Sequence, residues 1–312
     1  MNKREAMFGL LENETHPTYI PAAFFMHFDS TCHQGQPAVD KHLEFFHNTG
    51  MDFVKIQYEQ PLTPLTDLHK PQDWARAPLY PAEFFDAPVE VVKGLVKAAK
   101  REAVVIMTLY SPFMWARHLG GNGKLSEHLL ENPVAVSKGL EIMIENVLTL
   151  VRRCKQAGVD GFYASSQGGE AFRFPGTDTF PKYIKPTDLV VWEEIRSCAF
   201  NVLHICDYAG SYNDLSPFLD YPGEVVNCSL NLGKRTVSPV KVSKMFARPF
   251  MGGMDRKGIL TTGKPEEIRQ AVEGILAGAP EKFILAADCT VASETPWDNL
   301  KTAIDTAHHY RK

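Results

Sequence analysis

One stretch near the carboxyl end of the chain reads Phe283-Ile284-Leu285-Ala286-Ala287-Asp288-Cys289. Its first five residues are all apolar, without the alternation of polar and apolar side chains that marks a half-exposed strand. Such a run predicts a strand that is covered on both faces, as in a parallel sheet. The segment Thr295-Pro296-Trp297-Asp298 follows, and its hydroxyl cap, its proline for the first helical position and its acidic residue predict the start of a helix.

The same pairing of an apolar run with a helical pattern recurs along the chain. Eight strands are predicted, at Tyr19–Phe28, Asp52–Glu59, Ala103–Ser111, Gly158–Ser165, Asn201–Asp207, Glu224–Leu230, Pro249–Met254 and Phe283–Cys289. Helices are predicted at Ala38–Asn48, Pro88–Arg101, Pro133–Ala157, Pro186–Phe200, Ser211–Leu219, Val240–Phe246, Pro265–Ala277 and Pro296–Tyr310. This alternation predicts an α/β protein with one domain, a single (β/α)8 TIM barrel over residues 1–312.

Two segments are too long for ordinary connections between a strand and a helix. They are Gln60–Phe85, which is rich in proline, and Gln167–Lys185, which is rich in glycine and aromatic residues. The active site of a barrel lies at the carboxyl ends of its strands. We therefore expect both segments to be lids or rim loops over the mouth of the barrel.

The composition argues against two classes of protein. A formal net charge of -4, with basic residues spread along the chain, gives no electrostatic footprint for nucleic acid. No apolar run approaches the roughly 18 residues that cross a bilayer, and the first residues have no apolar signal core. Six cysteines at irregular spacing do not resemble a disulfide framework. We expect a cytoplasmic protein that binds neither nucleic acid nor a membrane.

His204, Cys206 and Cys289 are candidate ligands for a zinc ion. Residues two apart on a strand point to the same face, so His204 and Cys206 can face one site. A barrel would place all three residues at its mouth. Structural zinc sites usually contain paired Cys-x-x-Cys units, which this chain lacks. The trio therefore fits a catalytic site with three protein ligands and an open fourth position, in which the same residues are the metal ligands and the catalytic residues.

Another interpretation of these side chains remains open from spacing alone. A lone cysteine is commonly a small buried hydrophobe, and a lone histidine is commonly a polar group of the core or rim. Cys154 and Cys198 lie in helical patterns, and we assign them to the core. Cys228 alternates with polar neighbours, so its side chain should face away from theirs and pack rather than bind.

Further polar residues lie at the predicted strand ends. They are His27, Gln57, Glu59, Tyr110, Ser165, Ser166, Asn227, Ser229 and Asp255. A metal-bound His204 needs a partner for its second ring nitrogen, and Asp207, Asp288 or a carbonyl group could supply it. His27 and Glu59 are candidates for outer contacts or a transient fourth ligand, but polar rim residues are the favoured interpretation of both. The chain has no glycine-rich fingerprint for a nucleotide cofactor.

The last third of the chain closely resembles the uroporphyrinogen decarboxylase superfamily. The resemblance is carried by residues 252–267, GGMDRKGILTTGKPEE, and by residues 283–296, FILAADCTVASETP. It implies a (β/α)8 barrel, in agreement with the count of strands. The superfamily contains haem-pathway decarboxylases and zinc-dependent methyltransferases that work with corrinoid proteins or methylcobalamin.

The chain departs from the decarboxylase pattern at the first predicted strand. Decarboxylases carry arginines there that bind the carboxylates of the substrate, whereas this segment is Ala22–Phe28 and no arginine lies between Arg4 and Arg76. Bidentate arginine pairs are what hold such groups. The aspartate that decarboxylases place after the second strand is also not evident in Lys55–Glu59. The resemblance therefore disfavours decarboxylation of a porphyrinogen.

The methyltransferase branch carries a His-x-Cys pair and a late cysteine, which match His204, Cys206 and Cys289. The resemblance implies that a zinc ion binds the sulfur of a thiol and lowers its pKa. It implies transfer of a methyl group between a corrinoid, as methylcobalamin or on a corrinoid protein, and a thiol or a methylated small molecule. The chain has no corrinoid-binding Asp-x-His-x-x-Gly motif, so any cobalamin would arrive free or on a separate partner protein.

Two rival hypotheses remain. A divergent decarboxylase would act without metal and would have a basic mouth. A catalytically inactive barrel that binds a corrinoid partner would have an occluded mouth or no zinc. The sequence does not indicate the methyl donor, the acceptor, the direction of transfer, the fourth zinc ligand or the oligomeric state.

Overall fold

The computed structural model describes residues 2–12, 19–121 and 123–311 of the chain. The strands in these residues are β1 Phe53–Ile56, β2 Val104–Tyr110, β3 Gly161–Ser166, β4 Val202–Ile205, β5 Val225–Cys228, β6 Asn231–Leu232, β7 Arg235–Thr236, β8 Phe250–Met254 and β9 Phe283–Ala287. Seven of them form a parallel sheet in the order β1-β2-β3-β4-β5-β8-β9, and β6 and β7 form a separate antiparallel pair. The sheet order follows the chain, as repeated right-handed strand-helix units produce.

Seven of the eight predicted strands are thus present, and their burial explains their apolar composition. Every residue of β1, β3, β4, β5 and β9 is buried. A parallel sheet has helices on its faces, so its strands show no alternation of polar and apolar residues. The prediction of an α/β protein with a parallel sheet is therefore confirmed.

The first predicted strand, Tyr19–Phe28, is not a regular strand. Ala22 and Met26 form isolated parallel bridges with Leu285 and Val291 beside β9, and the N–H of Asp52 donates to the Ala22 carbonyl at 3.0 Å. Pro21 has no N–H, and the N–H of Ala22 donates to the Asp52 carboxylate at 2.7 Å. The N–H of Ala23 still donates to the Leu285 carbonyl, but Pro21 and the side-chain contact of Ala22 interrupt a continuous ladder. The described residues therefore show a seven-stranded sheet with bridges at its edge rather than eight paired strands.

The helices of the described residues surround this sheet. They are α1 Lys3–Leu11, α2 Gly35–Thr49, α3 Asp86–Ala99, α4 Pro112–Gly120, α5 Lys124–Glu131, α6 Pro133–Ala157, α7 Lys185–Ile195, α8 Pro239–Phe246, α9 Ile259–Thr262, α10 Pro265–Ala277 and α11 Trp297–His309. The sequence predicted the bounds of α6 and α10 correctly and missed α1, α4, α5 and α9. None of the described helices is both long enough and apolar enough to span a membrane.

One predicted helix is wrong. The segment Ser211–Leu219 contains only a short 3-10 turn at Ser216–Phe218. The carboxylate of Asp214 accepts hydrogen bonds from the N–H and the hydroxyl of Ser216, and Pro217 follows. Local capping by a short acidic side chain and the missing proline N–H both oppose a helix that would continue through this point.

Asp52 joins the segment after residue 19 to the last helix, α11. Its buried carboxylate accepts hydrogen bonds from the Tyr19 hydroxyl and from the Ala22 N–H, and it pairs with Nε2 of His308 at 2.8 Å. The Tyr19 ring also stacks on the His308 ring, with centroids 4.7 Å apart. One side chain therefore holds both ends of the described fold against the amino end of β1.

We expect the Asp52→Ala substitution to lower the free energy of unfolding by about 3 kcal/mol, because it leaves three donors without their shared acceptor. Tyr19→Phe removes one of these donors and should cost about 1 kcal/mol. Urea denaturation of both variants measures the difference. Equal losses in the two variants would show that Asp52 does not connect these segments in the way described.

Candidate metal centre

His204, Cys206 and Cys289 lie together at the carboxyl ends of the strands. His204 is in β4, Cys206 follows that strand directly, and Cys289 lies two residues after β9. One ligand atom of each residue lies within 4.8 Å of the other two, and all three side chains are buried. Two sulfur ligands of one zinc ion, each about 2.3 Å from it, are separated by at most about 4.6 Å. The three donors therefore fit a single zinc ion after a small adjustment.

Parallel pairing places the neighbours of His204. In the register of the sheet, His204 is opposite Ser165 of β3 on one side and opposite Asn227 of β5 on the other. Side chains at one level of a parallel sheet point to the same face. Asn227 consequently reaches the His204 ring from the adjacent strand.

Asn227 fixes the proton of His204. The amide nitrogen of Asn227 donates to the carbonyl oxygens of Met251 and Ala287, at 2.8 and 3.1 Å. Its Oδ1 therefore faces His204, whose Nδ1 lies 2.6 Å away. An amide oxygen can only accept, so Nδ1 carries a proton and Nε2 is the ring nitrogen whose lone pair can bind a metal. This Nε2 is buried and has no hydrogen-bond partner among the described residues, as a metal ligand requires.

Tyr163 of β3 completes the support of the His204 ring. Its hydroxyl donates to Oδ1 of Asn227 at 2.6 Å. Its ring stacks on the imidazole, with centroids 4.7 Å apart and an angle of 29° between the planes. Burial raises the pKa of Tyr163 well above its usual value, so its hydroxyl remains a donor. His204 thus has a fixed ring plane as well as a fixed proton.

The two cysteine side chains share a proton when no metal is bound. A hydrogen bond between them holds the pKa of the Cys206 thiol well above its usual value and the pKa of Cys289 well below it. Nε2 of Gln167 donates to the Cys206 sulfur at 3.1 Å. Metal ligation requires both sulfurs to be deprotonated, so a bound cation would displace the protons of these thiols.

Arg256 joins the two segments that carry the cysteines. Its Nη1 lies 2.7 Å from a carboxylate oxygen of Asp207 and 2.8 Å from one of Asp288. These carboxylates belong to the residues next to Cys206 and Cys289. Burial raises the pKa of Asp288 to about 6, although the guanidinium of Arg256 opposes that shift. The arginine thus holds the two cysteine-bearing segments at a fixed separation.

A buried lysine lies beneath the site. The ammonium of Lys55 donates to Oε1 of Gln57 at 2.7 Å and lies over the rings of Phe25 and Tyr163, 4.7 and 4.8 Å from their centroids. Burial lowers the pKa of Lys55 to about 7, while the negative charges of Cys289 and other groups act in the opposite direction. Lys55 therefore gains or loses its positive charge close to neutral pH, at a position that lines the same cavity as the cysteines.

A cavity of about 500 Å³ opens over the three candidate ligands. This volume lies in the range of small-molecule sites. Four basic side chains line it, Lys55, Arg117, Arg256 and Lys257. The acidic residue in its lining is Glu294. The cavity therefore has room for a small substrate and carries an excess of positive charge.

The other strand-end residues that the sequence singled out divide into two groups. Those that line the cavity are His27, Gln57, Tyr110 and Ser165. Those that do not are Glu59, Ser166, Asn227, Ser229 and Asp255. Glu59 instead accepts a hydrogen bond from Nδ1 of His27 at 2.7 Å, at the rim of the cavity.

Sequence reasoning missed the residues that orient the candidate ligands. It considered Asp207, Asp288 or a carbonyl group as the partner of His204; both aspartates bind Arg256, and the partner is a carbonyl group, that of the Asn227 side chain. The positions of Gln167 and Arg256 carried no local signal, because their contacts join distant parts of the chain. The alternation of Asn227 with Cys228 predicted that the two side chains face opposite sides. The sequence did not show that β4 and β5 pair with Asn227 opposite His204.

Comparisons with known proteins agree with this architecture. The family model described as "Uroporphyrinogen decarboxylase (URO-D)" matches residues 38–310. The chain belongs to the uroporphyrinogen decarboxylase family. Among solved structures, a methyltransferase from Methanosarcina mazei covers 98% of this chain and 98% of its own, with 16% identity and a TM-score of 0.75.

A second solved structure with a similar fold is a B12-independent methionine synthase from Shewanella sp. W3-18-1 in complex with selenomethionine. It covers 93% of this chain and 97% of its own, with 11% identity and a TM-score of 0.54. No curated protein sequence matches the chain. At these identities, the structural similarities show a shared fold.

We expect Asn227→Ala to weaken zinc binding about 10- to 100-fold, the usual cost of losing the group that orients a histidine ligand. Competition with a chromophoric chelator measures the dissociation constant. Tyr163→Phe keeps the Asn227 acceptor and serves as the matched control, with a smaller loss. An Asn227→Ala protein that binds zinc as tightly as the wild type would contradict the assignment of Nε2 as a ligand.

Proposed function

We propose that the chain is a zinc-dependent methyltransferase that moves a methyl group between a corrinoid and a small thiol or methylated compound. The observation that carries this proposal is the cluster of His204, Cys206 and Cys289, in which the Nε2 lone pair is fixed and unpartnered. Two sulfurs and one imidazole are a donor set that zinc prefers, and three protein ligands leave its fourth position open. We further propose that residues 1–312 form one barrel domain, with the segment Tyr19–Phe28 in the place of the eighth strand.

A zinc ion held by these residues would lower the pKa of a substrate thiol and so supply a thiolate at neutral pH. The residues of the chain supply the remaining conditions. Asn227 fixes which ring nitrogen of His204 faces away from the metal site and orients the ring, and Gln167 donates a hydrogen bond to the Cys206 sulfur. Arg256 holds the two cysteine-bearing segments together. The surrounding cavity has the size of a small substrate.

The transfer is balanced in atoms and electrons. The sulfur of the substrate thiolate attacks the methyl carbon, so that a carbon-sulfur bond forms and the bond from the methyl group to its donor breaks. The electron pair of that bond remains on the donor, and the proton of the thiol is released to solvent. A corrinoid is a donor that accepts such a pair at its metal.

The corrinoid would be presented from outside the cavity. The chain carries no corrinoid-binding motif, and a cavity of about 500 Å³ matches a drug-sized molecule rather than a macrocycle with its side chains. We propose that methylcobalamin or a corrinoid protein docks at the mouth. The cytoplasmic location that the sequence predicts would keep both cysteines reduced, as this chemistry requires.

The rival decarboxylase hypothesis predicts a basic mouth, and the cavity does carry basic side chains. Two of the four are already engaged, since Arg256 pairs with Asp207 and Asp288 and the Lys55 ammonium donates to Gln57. The free cations are too few for a substrate with eight carboxylates. The cysteine pair also has no role in a metal-free decarboxylation, so the methyltransferase explains more of the site.

We expect protein purified without added metal to contain about one zinc ion per chain, because one set of three ligands is present. Elemental analysis measures this ratio. Cys206→Ser and Cys289→Ser should each lose the ion, whereas Cys198→Ser, which changes a cysteine outside the ligand cluster, should retain it. Retention of zinc in either ligand variant would contradict the assignment.

We expect the zinc-loaded protein to demethylate methylcobalamin in the presence of a small thiol, and to produce the methyl thioether. The absorbance change of the corrinoid gives the rate, and mass spectrometry identifies the thioether. Cys289→Ser should slow the reaction about 100-fold or more, since metal activation of a nucleophile contributes several kcal/mol. Carboxy-lyase activity of the metal-free protein on a porphyrinogen would instead support the decarboxylase. Tight binding of a corrinoid protein without any transfer would support an inactive barrel.

A further inference from the structure

Three arginines of the described chain are buried, Arg117, Arg173 and Arg256. Two of them have carboxylate partners. Arg173 forms a bidentate pair with Glu170, at 2.6 and 2.7 Å, and Arg256 binds Asp207 and Asp288. A buried charge without a partner is costly. The third arginine, Arg117, is therefore expected to have a partner as well.

Arg117 has no such partner among the described residues. It lies in α4, just after β2, and its side chain lines the cavity above His204, Cys206 and Cys289. Its Nε is buried without a hydrogen-bond partner. The nearby carboxylate of Glu170 is already occupied, because both of its oxygens accept from Arg173 and one also accepts from the N–H of Gly168.

The surroundings of Arg117 favour an incoming anion. Burial lowers the pKa of Arg117, and the like charge of Arg173 acts in the same direction. The adjacent His118 also lines the cavity, and partial desolvation with the charge of Arg117 lowers its pKa to about 4. His118 is therefore neutral at pH 7 and does not compete for the anion. A guanidinium offers five donors in a planar fork that matches a carboxylate.

We infer that Arg117 binds the anionic group of the substrate, and that the substrate is a small thiol, or its methylated form, which carries a carboxylate or a similar oxyanion. This inference rests on the proposed function for the sulfur end of the molecule. The sulfur would lie at the cysteine cluster and the anion at Arg117, so that the two ends fix the substrate across the same cavity. The unpaired charge of Arg117 would be neutralised only in the complex.

The test compares three probes of similar size, 3-mercaptopropionate, 3-mercaptopropanol and propionate. Binding to the zinc-loaded protein is measured by isothermal titration calorimetry. We expect Arg117→Gln to weaken the binding of 3-mercaptopropionate about 10- to 100-fold, which corresponds to the loss of one charge-assisted pair. Binding of the neutral thiol should change less than about twofold, because it has no anion to lose.

Two further variants separate a specific contact from general electrostatics. Lys257→Gln removes a charge from the lining of the same cavity. It should weaken the binding of the anionic thiol less than about threefold, because an exposed charge is screened. Arg117→Lys should restore part of the affinity, since it keeps the charge but loses the fork. Equal losses in Arg117→Gln and Lys257→Gln would overturn the inference.

Thermal unfolding provides a readout that a structural arginine would not give. Removal of an unpaired buried charge relieves its desolvation, so ligand-free Arg117→Gln should melt no lower than the wild type. Propionate should raise the melting temperature of the wild type and not that of the variant. The assignment would be overturned by a variant that melts at a lower temperature than the wild type, or by one that loses equal affinity for the neutral and the anionic thiol.

The same probes distinguish binding at the anion site from binding of a thiol at the zinc site. Propionate has no sulfur and can be measured in the Cys289→Ser protein, where no zinc site remains. Arg117-dependent binding of propionate without any gain from a thiol would support the anion site and contradict the thiol chemistry. Thiol binding that depends on zinc, but not on Arg117 or on the carboxylate, would support the thiol chemistry and contradict the anion site.

Discussion

The hydrogen bond from His204 to Asn227 is the interaction on which the rest of the site depends. It determines which ring nitrogen carries the proton, and therefore which nitrogen is free to bind a metal. The bond exists because β4 and β5 are parallel and in register, with these two residues at the same level. The Asn227 amide is held in turn by carbonyl groups of Met251 in β8 and Ala287 in β9. Four strands of the sheet therefore converge on one lone pair.

The buried arginines of the described residues pair with carboxylates, with one exception. Arg256 binds two aspartates and at the same time spans the segments that carry Cys206 and Cys289. Lys55 lines the same cavity, and burial lowers its pKa to about 7. Arg117 alone among the buried arginines of the described chain has no counterion. Paired charges fix the positions of the ligands, whereas the unpaired one is available to a substrate.

Local sequence signals predicted most of the sheet and several helices. Apolar runs without alternation mark the seven paired strands, because both faces of a parallel sheet are covered. Proline and capping residues located α6 and α10 correctly. The helix α4 was missed although Ser111 and Pro112 form a cap and a first helical position, because most of its residues are buried and it has no clear amphipathic stripe. The prediction of a strand at Tyr19–Phe28 was wrong because Pro21 has no N–H and the N–H of Ala22 donates to the Asp52 carboxylate. A count of apolar residues does not detect these two interruptions of the ladder.

The candidate ligands could be proposed from the sequence because two of them share a short motif and the third follows a clear strand. Their supporting residues could not, since Gln167, Asn227 and Arg256 act across strands that only the fold brings together. A resemblance to a family supplies ligand positions in the same way that a motif does. It does not supply the hydrogen bonds that set protonation, which depend on the register of particular strands.

The described chain contains eight buried side-chain atoms that lack a hydrogen-bond partner. Four of them belong to residues that line the same cavity, namely Arg117, Gln167, His204 and Arg256. Unsatisfied buried groups are rare in folded proteins, since each costs free energy. Half of the unpaired buried atoms of the described residues therefore lie at the site where ligands would bind. A metal at the His204 lone pair and an anion at Arg117 would each remove one of these costs, so binding at this site and stability of the fold are linked.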